Sequence, residues 1–384
     1  MSFWRSSSEA ESKHSLSENN FDIIVMGAGP AGVAASIVLK QAGLSVLLVD
    51  QVRPNELKVG ESVPGAAARL FQRLGLTDIS ELLGADEFLK STANASAWGS
   101  EQWTFQNAMM SLEGGGWHVL RHRFDEKLRQ YAIAQGVEYL EGQVSRFEKV
   151  DSGYKLDLKG NEQRLSASWL VDATGRKGLV SRKLGGERKR FSEQYAVIAW
   201  KQTDANDQDQ TTRVKSVVEG WWYTSKLPGG LRVFALQCLP EKAAQFVKQP
   251  EAFCKAWAEA GVLDVSFNPD ELEQPLIARD ASVQLSQQAF GAHWLAVGDA
   301  AMSFDPLSSQ GIFFALYSGV RGGEAVINCL QNPTESDQWL AQYKNRVIQV
   351  FQANMRSRGQ FYSAELRFKE EAYWQKQLGM VNAK

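Results

Sequence analysis

The segment Phe21 to Gly32, FDIIVMGAGPAG, constrains the fold of this chain more than any other stretch. An apolar run that breaks at a glycine triplet and resumes as an Ala-rich segment to about Ala42 reads as a buried parallel strand, a tight turn and a helix. Gly27 permits the turn and Gly29 lets the backbone approach a pyrophosphate. Pro30 and Ala31 open the helix whose N-terminus meets that charge, and Gly32 lets the helix pack on the strand. SVLLVD forms a second strand ending at Asp50, 18 residues beyond Gly32. A dinucleotide site needs a carboxylate at about this distance for the ribose hydroxyls, with Gln51 beside it, and an acid there disfavours a 2′-phosphate. FAD and NAD therefore fit better than NADP, and the fold class is α/β with a Rossmann-like nucleotide domain.

The 384 residues carry a net charge of −2, so the chain can bury one large core or two modest ones and lacks the basic footprint of a nucleic-acid protein. No apolar run approaches the ~20 residues that span a bilayer. Residues 1–20 are polar and Ser-rich without an apolar h-region, and read as a disordered tail rather than a signal peptide, which makes the cytoplasm the expected location. Cys238, Cys254 and Cys329 match neither a disulfide framework nor a metal pattern and read as reduced core residues. His14, His118, His122 and His293 form no ligand cluster, so no metal is expected.

Patterning along the chain divides it further. Residues 21–190 and 286–330 read as a discontinuous nucleotide-binding domain. It includes a loop around Lys58, Glu61 and Ser62, a helix from Phe124 to about Ala134, an antiparallel meander, a strand running into Asp172-Ala173-Thr174-Gly175, and a helix from Gln310 to Leu330. Residues 191–285 alternate at period two around a helical insert, Glu241 to Ala260, and read as an inserted β-sheet substrate domain. Residues 331–384 read as a helical C-terminal region, with Trp339, Tyr343, Val347 and Phe351 at helical spacing. The polar loop Asp204 to Thr212 is the longest internal linker. A basic run from Arg176 to Arg190 reads as a solvated loop or as a docking patch for an acidic partner or a pyridine nucleotide.

The stretch VGDAAMSFDPLSSQGI, Val297 to Ile312, completes the nucleotide site from the far end of the chain. Asp299, after Gly298 at a strand end, is placed to bond a ribityl hydroxyl; its alternative is a turn acid that caps a helix. Pro306 and Leu307 fall along an isoalloxazine edge. The helix that begins near Gln310, Gly311 and Ile312 aims its free N–H groups at the flavin N1/C2 carbonyl, favouring the anionic reduced ring. In the half-buried strand Trp221-Trp222-Tyr223 the side chains alternate, so one face could roof a substrate pocket, and Trp222 is the candidate contact; aromatic strand residues otherwise belong to a core. No histidine or carboxylate stands out as a general base.

These motifs, GxGPAG with Asp50, VGES, Arg121 four residues before Asp125, VDATG with Ser181 and Arg182, and VGDAAMSFDPLSSQGI, resemble the FAD-dependent monooxygenase and halogenase superfamily with the p-hydroxybenzoate hydroxylase type of fold, over nearly residues 21–330. GWWYTSKLP and DPLSSQG are most similar to the flavoproteins of tryptophylquinone cofactor biogenesis, the LodB and GoxB type. The resemblance implies FAD contacts from Arg121, from Glu61 and Ser62 of the flavin loop, whose alternative is a solvated turn, and from Ala173, Thr174 and Gly175. It also implies hydroxylation, through a C4a-hydroperoxyflavin and molecular oxygen, of a tryptophan in the precursor protein of a quinone-cofactor amine oxidase. No second nucleotide motif is present, so the reductant is NAD(P)H bound transiently or a separate flavin reductase. Halogenases carry a WxWxIP motif and an essential lysine. Here the segment reads Gly220-Trp221-Trp222-Tyr223 with Leu227-Pro228 following, and Lys90, eight residues before Trp98, is the candidate lysine or simply an exposed one. A halogenase, a reductase of the prenyl-reductase type and a non-catalytic flavoprotein chaperone are the alternatives.

Overall fold

The computed structural model describes residues 19–51, 56–107, 114–160, 164–204 and 207–382. The expected tail therefore lies outside the described residues except for its last two positions, as do residues 205 and 206 of the polar loop. The fold is α/β, with a Rossmann-type domain, a second large sheet and a helical C-terminal region.

Five parallel strands form the centre of the first sheet, in the order Trp294–Ala296, Arg164–Asp172, Asn20–Met26, Val46–Asp50 and Glu138–Glu141. Strand Asn20–Met26 lies in the middle, with Val25 in register with Val171 on one side and Leu48 on the other. A strand walled on both sides has no polar face to present, which is why Ile23, Ile24 and Val25 are all fully buried. The meander is the hairpin Val144–Val150 and Gly153–Leu158, paired antiparallel to the first half of Arg164–Asp172. The C-terminal ends of the central strands point towards one cleft, the position at which open α/β sheets bind ligands.

The second sheet has seven strands, in the order Ile277–Asp280, Tyr195–Gln202, Leu231–Cys238, Gly220–Lys226, Thr212–Val217, Ala93–Ala97 and Thr104–Asn107. It is wider than the interval 191–285 assigned to it from patterning. Ala93–Ala97 joins it by parallel pairing with Thr212–Val217, and Thr104–Asn107 then forms the edge. The single helical insert is two helices, Pro240–Lys248 and Pro250–Ala260, because Pro250 removes a backbone donor and opens the second one. These cover one face of the sheet, where Trp222, Phe253 and Trp257 pack edge to face.

Helix Arg121–Ala134 begins a turn before the expected Phe124. Three basic or potentially basic residues in a first turn oppose the helix dipole, so the sequence hid this start; Asp125 offsets part of the charge through its pair with Arg121. The region after residue 330 forms helices Ser336–Ala364 and Ala372–Asn382. The longer one buries Tyr343, Val347 and Phe351 against the nucleotide domain, and the Tyr343 hydroxyl donates to the Ala296 carbonyl at 2.7 Å. No helix among the described residues is long and apolar enough to cross a membrane. All three cysteines are free and buried, and burial pushes the Cys238 thiol up to about 12.

Candidate active site

A cleft of about 970 Å³ lies between the two sheets, lined by segments from widely separated parts of the chain. Gly29, Pro30 and Ala31 form its floor at the start of helix Pro30–Gln41. Gly27 and Gly32 sit behind them and shape the turn. Gly27 has φ +107°, and a Cβ on Gly32 would lie 1.9 Å from the Gly27 carbonyl oxygen and 2.9 Å from Ala173 Cβ. At Gly29, by contrast, nothing lies within 4 Å of a Cβ, so the backbone N–H groups that open the helix face free space. This cradle fits a pyrophosphate.

Asp50 and Gln51 line the cleft beside this floor. The Asp50 carboxylate accepts from the Ala28 and Gln51 amides at 2.9 and 2.7 Å, which fixes it at the strand end. Ala173, Thr174 and Gly175 form the adjoining wall. Behind them, buried Asp172 accepts from Thr174 Oγ1 at 2.6 Å and from the Val180 amide at 2.8 Å, and burial raises its carboxyl above the usual range. It is a structural acid that turns the chain into the next helix.

Gly298 and Asp299 line the cleft from the last strand. Three residues of the basic run, Arg176, Arg188 and Arg190, are engaged here. Arg188 donates to the carbonyls of Asp299 and Ala300 at 2.8 and 2.7 Å, Arg176 lies 3.6 Å from the Asp299 carboxylate, and Arg190 pairs with Asp280. Pro306, Gln310, Gly311 and Ile312 also line the cleft, and helix Gly311–Gln331 presents its N-terminus to it. Leu307 is not among the lining residues; it packs with Trp221, Tyr362 and Trp374. Its amide is held by Asp305, whose carboxylate also pairs with Arg358 at 2.9 Å.

Arg121, Glu61 and Ser62 complete one side. Arg121 is anchored by Asp125 at 2.7 Å, and Lys58 reaches the same carboxylate at 3.4 Å. Opposite them the second sheet presents a wall of Ala196, Ile198, Trp221, Tyr223, Val233, Ala235 and Gln237, the last with a buried side-chain oxygen that has no partner among the described residues. Cross-strand register accounts for this face. Ile198 pairs with Ala235 and Ala235 with Tyr223, so alternate residues of three strands point the same way. The same alternation overturns Trp222 as the substrate contact. Trp222 is fully buried on the opposite face, under the two insert helices, while its neighbours Trp221 and Tyr223 reach the cleft. Lys90 ends strand Phe88–Lys90, is exposed, and is not among the residues lining the cleft.

Glu61 has a second property that sequence reasoning missed. It is 4 % exposed, its carboxylate accepts from the Tyr223 hydroxyl and, at 2.9 Å, from the Gly60 amide, and burial raises its pKa despite these bonds. The Tyr223 hydroxyl also meets Ser225 Oγ at 3.0 Å and Ser62 Oγ at 3.3 Å, and burial together with the adjacent Glu61 pushes its pKa well up. This carboxyl–phenol pair joins the nucleotide side of the cleft to the second sheet. Its signal in the sequence was split across 162 positions, between the VGES loop and the aromatic strand.

Comparison with known proteins agrees with this geometry. The FAD binding domain model matches residues 22–68, and the tryptophan halogenase model matches residues 104–382. The FAD-dependent oxidoreductase LodB of Marinomonas mediterranea is 26% identical over 93% of this chain and 96% of its own. The 1H-pyrrole-2-carbonyl-[peptidyl-carrier protein] brominase of Pseudoalteromonas luteoviolacea is 27% identical over 80% of this chain and 77% of its own. Among solved structures, the peptidyl tryptophan dihydroxylase QhpG, described as essential for tryptophylquinone cofactor biogenesis, aligns at TM-score 0.77 and 26% identity over 93% of this chain and 78% of that one. The flavin-dependent halogenase CmlS shares the fold at TM-score 0.82 and 23% identity, over 93% of this chain and 67% of that one. With a family model spanning most of its length and a built dinucleotide cleft, the chain belongs to the tryptophan halogenase family of FAD-dependent halogenases and oxidoreductases.

Proposed function

We propose that this protein is an FAD-dependent monooxygenase that hydroxylates an electron-rich aromatic ring, a tryptophan side chain of a partner polypeptide, as a post-translational step in tryptophylquinone cofactor biogenesis. The observation that carries this reading over halogenation is the position of Lys90. The candidate for a halogenase lysine is exposed and is not among the residues lining the cleft, and the aromatic strand reads Gly220-Trp221-Trp222-Tyr223 without the halogenase tryptophan spacing. The similarity to the peptidyl tryptophan dihydroxylase and, along nearly the full length of both chains, to LodB supports it.

In this reading Gly29 and the N-terminus of helix Pro30–Gln41 take the FAD pyrophosphate, Asp50 takes a ribose hydroxyl, and Asp299 a ribityl hydroxyl. Arg121 contacts the cofactor from the side. The N-terminal amides of helix Gly311–Gln331 stabilise negative charge on the ring system. Bound FAD, once reduced by NAD(P)H or by a separate flavin reductase, supplies the activation of molecular oxygen. The apolar wall of Ala196, Ile198, Val233 and Ala235 excludes water from the reacting face.

The brominase relative and the family model favour halogenation as the second reading. One assay separates the possibilities: the tryptophan-bearing precursor of a quinone-cofactor amine oxidase is incubated with holoenzyme, reductant, air and halide, and its intact mass is measured. Added oxygen is expected. Added chlorine or bromine makes the protein a halogenase, added hydrogen alone a reductase, and an unchanged mass a chaperone.

A further inference from the structure

We infer that Glu61 and Tyr223 form the acceptor for a ring-bound N–H or O–H of the substrate, so that the cleft selects aromatic rings carrying such a donor, an indole or a phenol, over rings of the same shape without one. The inference rests on the aromatic-substrate reading proposed above and adds what distinguishes one aromatic from another.

Three observations converge on it. The wall opposite the nucleotide floor is largely apolar: Ile198, Val233 and Ala235 offer shape alone, and Gln237 adds one buried amide whose oxygen has no partner among the described residues. From this wall the Tyr223 phenol reaches across to the Glu61 carboxylate on the facing side, and the two are hydrogen-bonded to each other. Both are held from behind. The Gly60 amide fixes the second Glu61 oxygen, and Ser225 and Ser62 fix the Tyr223 hydroxyl, so the pair cannot turn away from the cleft without losing these bonds. A preorganised acceptor in a largely apolar pocket discriminates strongly, because a ring without the donor leaves a desolvated carboxylate facing carbon. The Gly60 amide donates to this carboxylate and Arg121 donates to the Gly60 carbonyl, so neither competes for a substrate hydrogen.

The test titrates the oxidised holoenzyme with indole and with 1-methylindole, the same ring with its donor removed, and reads the visible difference spectrum of the flavin. Indole is expected to bind about tenfold or more tightly than 1-methylindole. That preference should vanish in Glu61→Leu and fall by roughly fivefold in the shape-preserving Glu61→Gln, which serves if the leucine variant does not fold. Equal affinities in the wild type, binding of neither compound, or a preference that survives both substitutions overturns the inference. So does loss of FAD from Glu61→Gln, which would make Glu61 a cofactor-holding residue instead. The titration involves no turnover, so its failure is separate from a failure to transfer oxygen.

Discussion

At Gly32 and Gly29 the same substitution should have opposite consequences. A methyl group on Gly32 meets the Gly27 carbonyl and Ala173, whereas one on Gly29 meets nothing in the protein and enters the space assigned to the cofactor. Gly32→Ala is therefore expected to destabilise the FAD-free protein by about 1–3 kcal/mol. Gly29→Ala should leave the melting temperature of the FAD-free protein unchanged and weaken FAD binding; calorimetry with and without FAD checks both. His118 makes a pH prediction. It sits in strand Trp117–Val119 beside Ser62, bonds Thr212 of the second sheet at 2.9 Å, and burial depresses its imidazole from 6.5 to about 4. Between those values the unfolded chain binds a proton that the folded one refuses. Stability is thus full above about pH 6.5 and falls as the pH drops towards 4, by about 3 kcal/mol in all. Urea unfolding across this range should show a shallower pH slope for His118→Gln; equal slopes would remove His118 from the account. Residue roles were legible where they depend on local geometry, as in the glycine triplet and Asp50. They were not where parity decides. Alternation gave Trp222 and Tyr223 opposite faces, but only the packing of the insert helices determines which face is core.

Among the elements, the loop Pro306–Ser308 and the helix it feeds are held by the C-terminal helices. Arg358 and Asp305, each almost wholly buried, pair at 2.9 Å, and Asp305 also accepts from the Tyr362 hydroxyl at 3.0 Å while capping Leu307. Ser309 adopts φ +50° at the end of this loop, a conformation that costs a non-glycine residue free energy and persists only when its surroundings enforce it. Arg358→Met leaves Asp305 buried without its countercharge and is expected to cost about 3–5 kcal/mol, read by chemical unfolding. FAD affinity should fall with it, because the loop lines the cleft; Arg358→Lys should recover part of both. Unchanged FAD affinity in a destabilised Arg358→Met protein would separate the C-terminal helices from the site. Element type was readable from periodicity, and the strands, helices and nucleotide crossover follow the pattern. The membership of Ala93–Ala97 and Thr104–Asn107 in the second sheet was not, because parallel pairing with a strand more than a hundred residues later leaves no local trace.

For the molecule as a whole, two sheets of different origin face one cleft. The first brings the strand ends, helix N-termini and carboxylate that suit FAD, and the second brings a largely apolar wall interrupted by Gln237 and by Tyr223, which reaches across to Glu61. This division explains why the cofactor was legible from motifs and the facing wall was not: the cofactor groups lie next to glycine turns, while the wall is assembled from alternate residues of three neighbouring strands whose cleft-facing parity no motif marks. The account's central claim is that this cleft carries out oxygen transfer to an aromatic ring rather than halogenation. It is tested most directly by a single turnover. Holoenzyme reduced without air is mixed with isotopically labelled oxygen gas, chloride, bromide and a tryptophan-bearing precursor polypeptide, and the modified peptide is sequenced by mass spectrometry. The account predicts labelled oxygen on the tryptophan ring, in an amount independent of halide. A halogen on the ring, or a ring that acquires no labelled oxygen, would contradict it.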